Sequence, residues 1–313
     1  MNKNKERYQN YYYRSNIADI RVEKKTNYTK RYILSFLLLL SIGLFAGDRF
    51  YHNHAKALSL SDSKVVKTSS VALQTPIRNS NSLVTLNNSV NSVINNNPGI
   101  TFGVSINNIN DGSQLNYGQT GPMTSASVSK ILTATDFLKQ VELGNESIDE
   151  TLDDGNKASV DLNSMITVSD DNAWEALNDE VSYSQLQTYA DQLGLTSYDA
   201  DTNSLSPSDT ADLLTRLYEG KLLNASDTQL VLSYMLNANY RTYIIPAVPS
   251  YDTVYHKVGF IDDDVNDTAI ITNGKQTIVL SIYTDGNGSY DWTARASLIQ
   301  KITTAVLNYY KLN

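Results

Sequence analysis

The chain has 313 residues, no cysteine and a formal net charge of −8. The acidic balance argues against nucleic acid as a partner, and the lack of cysteine excludes disulfides, thiol chemistry and a lipid-modified cysteine anchor. Only three histidines are present, two of them as the pair His52 and His54. This is too few ligands for a zinc hydrolase, so we expect neither a metal nor an organic cofactor.

Charge is distributed unevenly along the chain. Residues 1–31 hold nine Lys/Arg and three acids, residues 58–313 hold 14 Lys/Arg and 29 acids, and residues 32–47 carry no charge. Basic flanks stay on the cytoplasmic side of a membrane. The sequence therefore predicts a cytoplasmic basic tail at 1–31, a transmembrane signal-anchor at 32–51 and an extracellular C-terminal domain. The alternative is secretion after cleavage near Ala57, which ends a small-x-small pattern.

Residues 52–81, rich in Ser, Thr, Asn and Lys, read as a linker or stalk before a domain at 82–313. Leu83, Leu86 and Val90 recur at helical spacing. Alternating apolar residues then predict strands at 100–109 and 114–117, joined by a turn at 110–112.

The second half of the chain predicts a helical block followed by strands. Residues 145–250 look helical, with breaks at Gly and Pro; strand-like runs follow at 254–260, 268–271 and 277–283, and a final helix spans about 290–310. This order predicts an α/β (α+β) fold, in which terminal helices flank an antiparallel sheet and an all-helical lobe forms a second layer. A site would lie in the cleft between sheet and lobe.

Ser127-Val128-Ser129-Lys130 stands at the start of an amphipathic helix. Positions i and i+3 share a helix face, so the Lys130 amine can reach the Ser127 hydroxyl. A helix N-terminus disfavours an ammonium and offers free N–H groups to an oxyanion. The tract indicates a serine acyl-transfer site; the competing interpretation is a capping serine and a solvated lysine.

Two later tracts complete a pattern, Ser169-Asp170-Asp171-Asn172 and His256-Lys257-Val258-Gly259. S-x-x-K, an S-D-N-like tract and K-T/S-G on a late strand are the signature of penicillin-recognising serine enzymes. From about Ser82 to the C-terminus the sequence resembles the class A β-lactamase family. The resemblance implies a β-lactamase/transpeptidase-like fold and a serine hydrolase.

The resemblance also implies roles for individual residues. Ser127 would be acylated, Lys130 would take its proton, and Ser169 would relay a proton to the leaving nitrogen. Lys257 would bring positive charge to Ser169 and to a substrate carboxylate, and the N–H groups of Ser127 and Phe260 would hold the oxyanion. Contact with substrate is assigned to Asp171, Asn172, Lys257, Val258, Gly259 and Phe260. His256 should face away from the site, because alternate residues of a strand point apart.

Three departures from the family pattern affect the expected activity. Asp171 stands where the family has an amide; it would pair with Lys130 or repel anions, unless a local helix adjustment lets Asn172 serve. Val258 replaces a hydroxyl residue, which predicts a weaker grip on a carboxylate. The stretch 194–207 lacks the glutamate that activates the deacylating water; Asp199 and Asp201 are candidate substitutes, although both read as turn acids.

The leading hypothesis is therefore a membrane-anchored extracellular serine hydrolase of the class A β-lactamase type. It would be acylated on Ser127 by β-lactams or acyl-D-alanyl amides and would deacylate slowly. The alternatives are a cell-wall D,D-carboxypeptidase-like peptidase, whose substrate is a peptidoglycan peptide, and a non-catalytic envelope binding or sensing protein. Oligomeric state is left open.

Overall fold

The computed structural model describes residues 80–312. The predicted tail and signal-anchor, and all but the last two residues of the predicted linker, lie outside this range. Within the described range, no helix is both long enough and apolar enough to cross a membrane.

Seven strands between residues 80 and 312 make up two antiparallel sheets. In chain order they are β1 (Thr101–Asn108), β2 (Gln114–Gly118), β3 (Met123–Thr124), β4 (Ser204–Leu205), β5 (Thr253–Ile261), β6 (Asp264–Thr272) and β7 (Thr277–Asp285). The large sheet has the order β2-β1-β7-β6-β5, so β5, which carries Lys257, is an edge strand. Every neighbouring pair in it is antiparallel.

The same part of the chain forms eight α-helices around the sheet. They are α1 (Ser80–Asn95), α2 (Lys130–Leu143), α3 (Ala158–Thr167), α4 (Asp171–Val181), α5 (Tyr183–Leu193), α6 (Pro207–Tyr218), α7 (Ala225–Leu236) and α8 (Trp292–Tyr310). The terminal helices α1 and α8 pack against each other, and α6 packs against β1, β6 and β7. Helices α2 to α7 form the lobe.

Strand alternation divides the apolar side chains between two cores. On β7, Ile278, Leu280 and Ile282 enter the core shared with the terminal helices. Val279 and Tyr283 point to the other face and join the core of the lobe. Because both faces of the central strands are covered, these strands read as continuous apolar runs.

Local sequence signals set the ends of the lobe helices. The Ser206 hydroxyl accepts a hydrogen bond from the Asp209 N–H, and Pro207 occupies the first turn of α6. Helix α5 ends at Gly194, whose φ of 72° is left-handed. These are the capping roles for which such residues are favoured.

The antiparallel sheet with flanking helices and a helical lobe is confirmed. The first helix begins at Ser80, two residues before the predicted start of the domain. The small sheet of β3 and β4 was not predicted, because two residues per strand carry no measurable periodicity. This small sheet pairs the residues just before the Ser127 turn with the residues just before α6.

Candidate active site

Ser127 lies in a 3-10 turn, Ala126–Ser129, directly before α2. Ala126 has a left-handed φ of 49°, which costs free energy for a residue with a Cβ and persists only where surroundings impose it. Ser125 Oγ donates to the Asn203 carbonyl and side-chain oxygens at 2.7 and 2.8 Å. Asn266 Nδ2 on β6 donates to the Ser125 carbonyl at 3.2 Å. Lobe and sheet thus fix the turn from opposite sides.

Gly259 brings the edge strand into contact with this turn. A Cβ added at Gly259 would lie 2.9 Å from the N atoms of Ser127 and Val128 and 2.7 Å from the Ser125 carbonyl oxygen. Only glycine allows this approach. The N–H of Ser127 therefore lies beside β5, one residue from Phe260.

The second tract is built around a strained serine. Ser169 has a φ of 63° and precedes α4. Asp170 is the N-cap of α4: its carboxylate accepts the N–H groups of Asn172 and Ala173. The cap fixes where α4 begins and hence which side chain of the tract points back at Lys130.

The two amines meet at Ser169. Lys257 Nζ donates to Ser169 Oγ at 2.7 Å and to the carbonyl of Val258 at 3.0 Å. Lys130 Nζ donates to the Ser169 carbonyl at 2.8 Å and lies 3.5 Å from Ser169 Oγ. None of the hydrogen bonds of Lys130 that the structure describes joins the hydroxyl of Ser127.

Asp171 forms an ion pair with the Lys130 amine. Its Oδ1 lies 2.5 Å from Lys130 Nζ; the lysine side chain is fully buried, whereas that of Asp171 is 71% exposed. Of the alternatives left open by the sequence, the structure therefore shows the Asp171–Lys130 pair. The Trp174 ring covers the same amine, with 5.3 Å between Nζ and the ring centroid, a cation–π distance.

Burial lowers the pKa of both lysines. For Lys130, burial is the main cause of the lowered pKa, while the hydrogen bond and charge of Asp171 and the charge of Asp170 oppose it. For Lys257, burial and then the charge of Lys130 hold the pKa well below its usual value. Burial therefore favours the neutral form of Lys257 more strongly than that of Lys130, whose charged form the carboxylates of Asp171 and Asp170 support.

Two of the residues assigned to substrate contact face elsewhere. Asn172 lines a cavity of about 470 Å³ between α4 and the segment 153–161, and no described hydrogen bond joins it to Lys130. The acids lining this cavity are Asp153, Asp154, Asp161, Asp170, Glu175 and Asp179. Val258 is 3% exposed within the core shared with the terminal helices, because it alternates with Lys257 and Gly259 along β5. Its side chain is thus unavailable to a substrate.

Sequence reasoning missed an exposed aromatic cluster around Phe260, whose side chain lies on the Val258 face of β5 and not on the Lys257 face. The Phe260 ring lies 5.2 Å from that of Tyr240 and 6.0 Å from that of Trp292, measured between centroids. All three side chains are partly exposed. Tyr240 and Trp292 lie in sequence far from any motif, so only the spatial arrangement identifies them.

The stretch 194–207 contains a tight turn, and its two candidate acids, Asp199 and Asp201, are both exposed. Asp199 bridges to Ser204, and its Oδ1 accepts the N–H groups of Asp201 and Thr202, as in an Asx turn. His256 is buried on the other face of β5, with Nδ1 3.2 Å from Asp267 Oδ1. Among the described residues, no group of three or more acids and histidines is arranged to hold a metal ion.

Comparisons with known proteins agree with this geometry. The profile of the Beta-lactamase enzyme family matches residues 85–310. A structure of PBP-A, solved on a point mutant as an acyl-enzyme complex with penicillin-G, is 22% identical, with a TM-score of 0.68 over 73% of this chain and 97% of that chain.

A second structure shows the same fold. The ancestral class A β-lactamase GNCA, named for the last common ancestor of Gram-negative bacteria, is 20% identical, with a TM-score of 0.67 over 71% of this chain and 99% of that chain. None of the curated proteins matches. The match over more than half of the chain shows that it belongs to the β-lactamase enzyme family, and the two solved structures show that it shares their fold.

Proposed function

We propose that the protein is acylated on Ser127 by β-lactams and releases the product slowly. The observation that carries the proposal is the convergence of two buried amines on Ser169, beside a turn that presents Ser127 to the edge of β5. Such convergence costs desolvation and charge repulsion, and a purely structural role would not require it.

The proposed acylation follows one proton through the site. Ser127 Oγ attacks the lactam carbonyl carbon while its proton passes to Lys130, which must have lost its own proton beforehand, and the N–H groups of Ser127 and Phe260 hold the oxyanion. The C–N bond then breaks. Ser169 gives its proton to the leaving nitrogen and regains one from Lys130, whose Nζ lies 3.5 Å from its Oγ. Lys257 holds the Ser169 oxygen in place.

Slow release follows from the turn at residues 199–204. Asp199 and Asp201 are exposed acids of this turn, Asp199 accepts two backbone N–H groups, and the stretch 194–207 holds no glutamate to activate a water molecule. General-base help is typically worth about 10²–10⁴-fold in rate. We therefore expect the acyl-enzyme to accumulate.

The test is intact mass of the full-length chain after exposure to benzylpenicillin, followed over time. A persistent adduct of one penicillin, mapped by digestion to Ser127 and absent from Ser127→Ala, is the expected result. Ser184→Ala, on the exposed face of α5, should label like the wild type. Equal labelling of Ser127→Ala would remove the assigned nucleophile; no adduct on the wild type would support the non-catalytic binding protein.

A D,D-carboxypeptidase-like peptidase is the second candidate, favoured by the same lack of a glutamate in the stretch 194–207. An acyl-D-alanyl-D-alanine peptide would then acylate Ser127 with release of D-alanine. Release of D-alanine faster than turnover of nitrocefin would select this function. The reverse ratio would select β-lactam hydrolysis.

We also propose that the domain is extracellular and tethered by residues 32–51. The support is the uncharged segment and its basic N-terminal flank in the sequence. Full-length protein in alkali-washed membranes is the expected result. A shortened chain in the medium, beginning near residue 58, would instead show cleavage.

A further inference from the structure

The Asp171 carboxylate stands at the solvent boundary of the site. Its Oδ1 binds the fully buried Lys130 amine, while the side chain itself is 71% exposed. In the described part of the chain, the hydrogen bonds that this carboxylate accepts all fall on Oδ1. Oδ2 has no described hydrogen-bond partner, and it belongs to a side chain that is largely open to solvent beside Lys130.

A carboxylate in that position selects by hydrogen-bond chemistry. An ionised carboxylate only accepts hydrogen bonds. A substrate carbonyl or carboxylate, which is also an acceptor, could therefore form no hydrogen bond with it. An ammonium placed there would form a charge-assisted hydrogen bond, about twice as strong as a neutral one.

The surrounding charge has the same sign. Asp170 adjoins Asp171, and Asp170 and Glu175 also line the separate acidic cavity beside α4. Lys130 is already paired, and Lys257 is nearly fully buried, so neither presents its charge to the entrance. The summed negative potential of these acids raises the local concentration of cationic ligands near Asp171, although the cavity itself is separate from the site.

We propose that the preferred acyl donor carries a protonated amine in its acyl portion, bound by Asp171. The inference rests on the proposed acylation of Ser127. It places the leaving nitrogen at Ser169 and a substrate carboxylate on the β5 side, which leaves the lobe side, with Asp171, to the acyl portion.

Three penicillins test the inference, because they share the lactam ring and differ at the α-carbon of the acyl side chain. Ampicillin carries an ammonium there, benzylpenicillin a hydrogen and carbenicillin a carboxylate. We expect the acylation rate constant of the full-length chain to fall in that order, with ampicillin at least about tenfold faster than benzylpenicillin, the scale of one hydrogen bond to a charged group. Equal rates for the three would overturn the inference.

Asp171→Asn separates contact from general charge. The ratio of ampicillin to benzylpenicillin should fall to about one in this variant, whatever happens to the absolute rates. Glu175→Gln removes the same charge from the same helix, one turn away and facing the cavity, so its ratio should stay close to that of the wild type. An unchanged ratio in Asp171→Asn would overturn the proposed contact.

Ser127→Ala keeps this test independent of the proposed function. If no penicillin acylates the wild type, the proposed function fails, but reversible binding to Ser127→Ala still reports the preference. The protein has two tryptophans, and the buried Trp174 covers Lys130, so quenching of its fluorescence can follow binding. Tighter binding of ampicillin than of carbenicillin supports the inference, and equal binding rejects it.

Discussion

The lobe side and the sheet side of the site each contribute one buried lysine, and the two lysines are compensated differently. Lys130, from the lobe side, has a carboxylate at 2.5 Å and an aromatic ring over its amine. Lys257, from the sheet side, has only hydroxyl and carbonyl oxygens among its described hydrogen bonds. The lysine on the lobe side is thus part of a stabilised ion pair. The lysine on the sheet side is a buried amine without a counterion among its described hydrogen-bond partners.

The difference shows how one site can hold two amines a few ångströms from one hydroxyl. Two ammonium groups there would repel each other, and the charge of Lys130 indeed helps to lower the pKa of Lys257. Asp171 and Asp170 bias the shared positive charge towards Lys130. Because the two amines interact, a substitution that changes the charge of one of them should shift the pKa of both.

The largest effect is expected from Lys257→Met, which removes the uncompensated amine. Acylation by benzylpenicillin should slow by about 10²–10⁴-fold, because Ser169 loses its hydrogen-bond donor. The unfolding temperature should rise, since an apolar side chain replaces a buried amine without a counterion. Quenched acylation followed by mass spectrometry and a thermal melt measure the two effects.

Lys221→Met is the control for Lys257→Met, because Lys221 is exposed and pairs with Glu219 at the surface. It should leave both quantities near the wild-type values. Acylation at the wild-type rate in Lys257→Met would contradict the asymmetry between the two sides.

Asp171→Asn removes the carboxylate that distinguishes the lobe side of the site from the sheet side. We expect its effect on the acylation rate to be of intermediate size. Asp171 raises the pKa of Lys130, so its loss should lower that pKa further. Acylation needs the neutral amine, which forms above its pKa. The rising limb of the acylation pH profile should therefore move to lower pH, with about a tenfold gain in rate on the limb for each pKa unit. A limb that moves to higher pH would contradict this assignment.

The smallest effect concerns an acid on the sheet side. Burial, then repulsion from Asp285 and Asp263, raises the pKa of Asp264 from 3.8 to about 6, against a hydrogen bond from Thr124. A raised folded-state pKa stabilises the protein fully below pH 3.8, and this contribution is lost as pH rises through about 6.

Asp264→Asn should therefore stabilise the protein at pH 7 relative to the wild type by up to about 1 kcal/mol, after discounting for solvent screening. The gain should vanish at a pH of about 4. Denaturant unfolding at both pH values measures it, with the exposed Asp191→Asn as control. An equal gain in the free energy of unfolding at the lower pH would show that ionisation of Asp264 does not cause the stabilisation.

Much of the site could be predicted from sequence, because its chemistry depends on short motifs at fixed spacing. Ser127 and Lys130 are one helical turn apart, and strand alternation places Lys257 and Gly259 on one face. The sheet followed from the same alternation. Such patterns predict which residues close in sequence share a face of a helix or strand.

The orientation of the second tract could not be predicted in this way. Whether Asp171 or Asn172 meets Lys130 depends on the left-handed Ser169 and on the cap that Asp170 provides, both tertiary outcomes. The ties from Asn203 and Asn266 to the Ser127 turn join residues far apart in sequence. Long-range polar contacts between unremarkable asparagines leave no periodic signal.

The short turn closed by the Asp199–Ser204 bridge has a consequence for how such a protein would protect a cell. The Asp199 carboxylate is held by backbone N–H groups, and no glutamate is present in the stretch 194–207 to renew the enzyme after each encounter. On the proposed mechanism, one copy would titrate one drug molecule for as long as the ester lasts. Resistance would then scale with the number of copies at the cell surface and saturate at a stoichiometric dose.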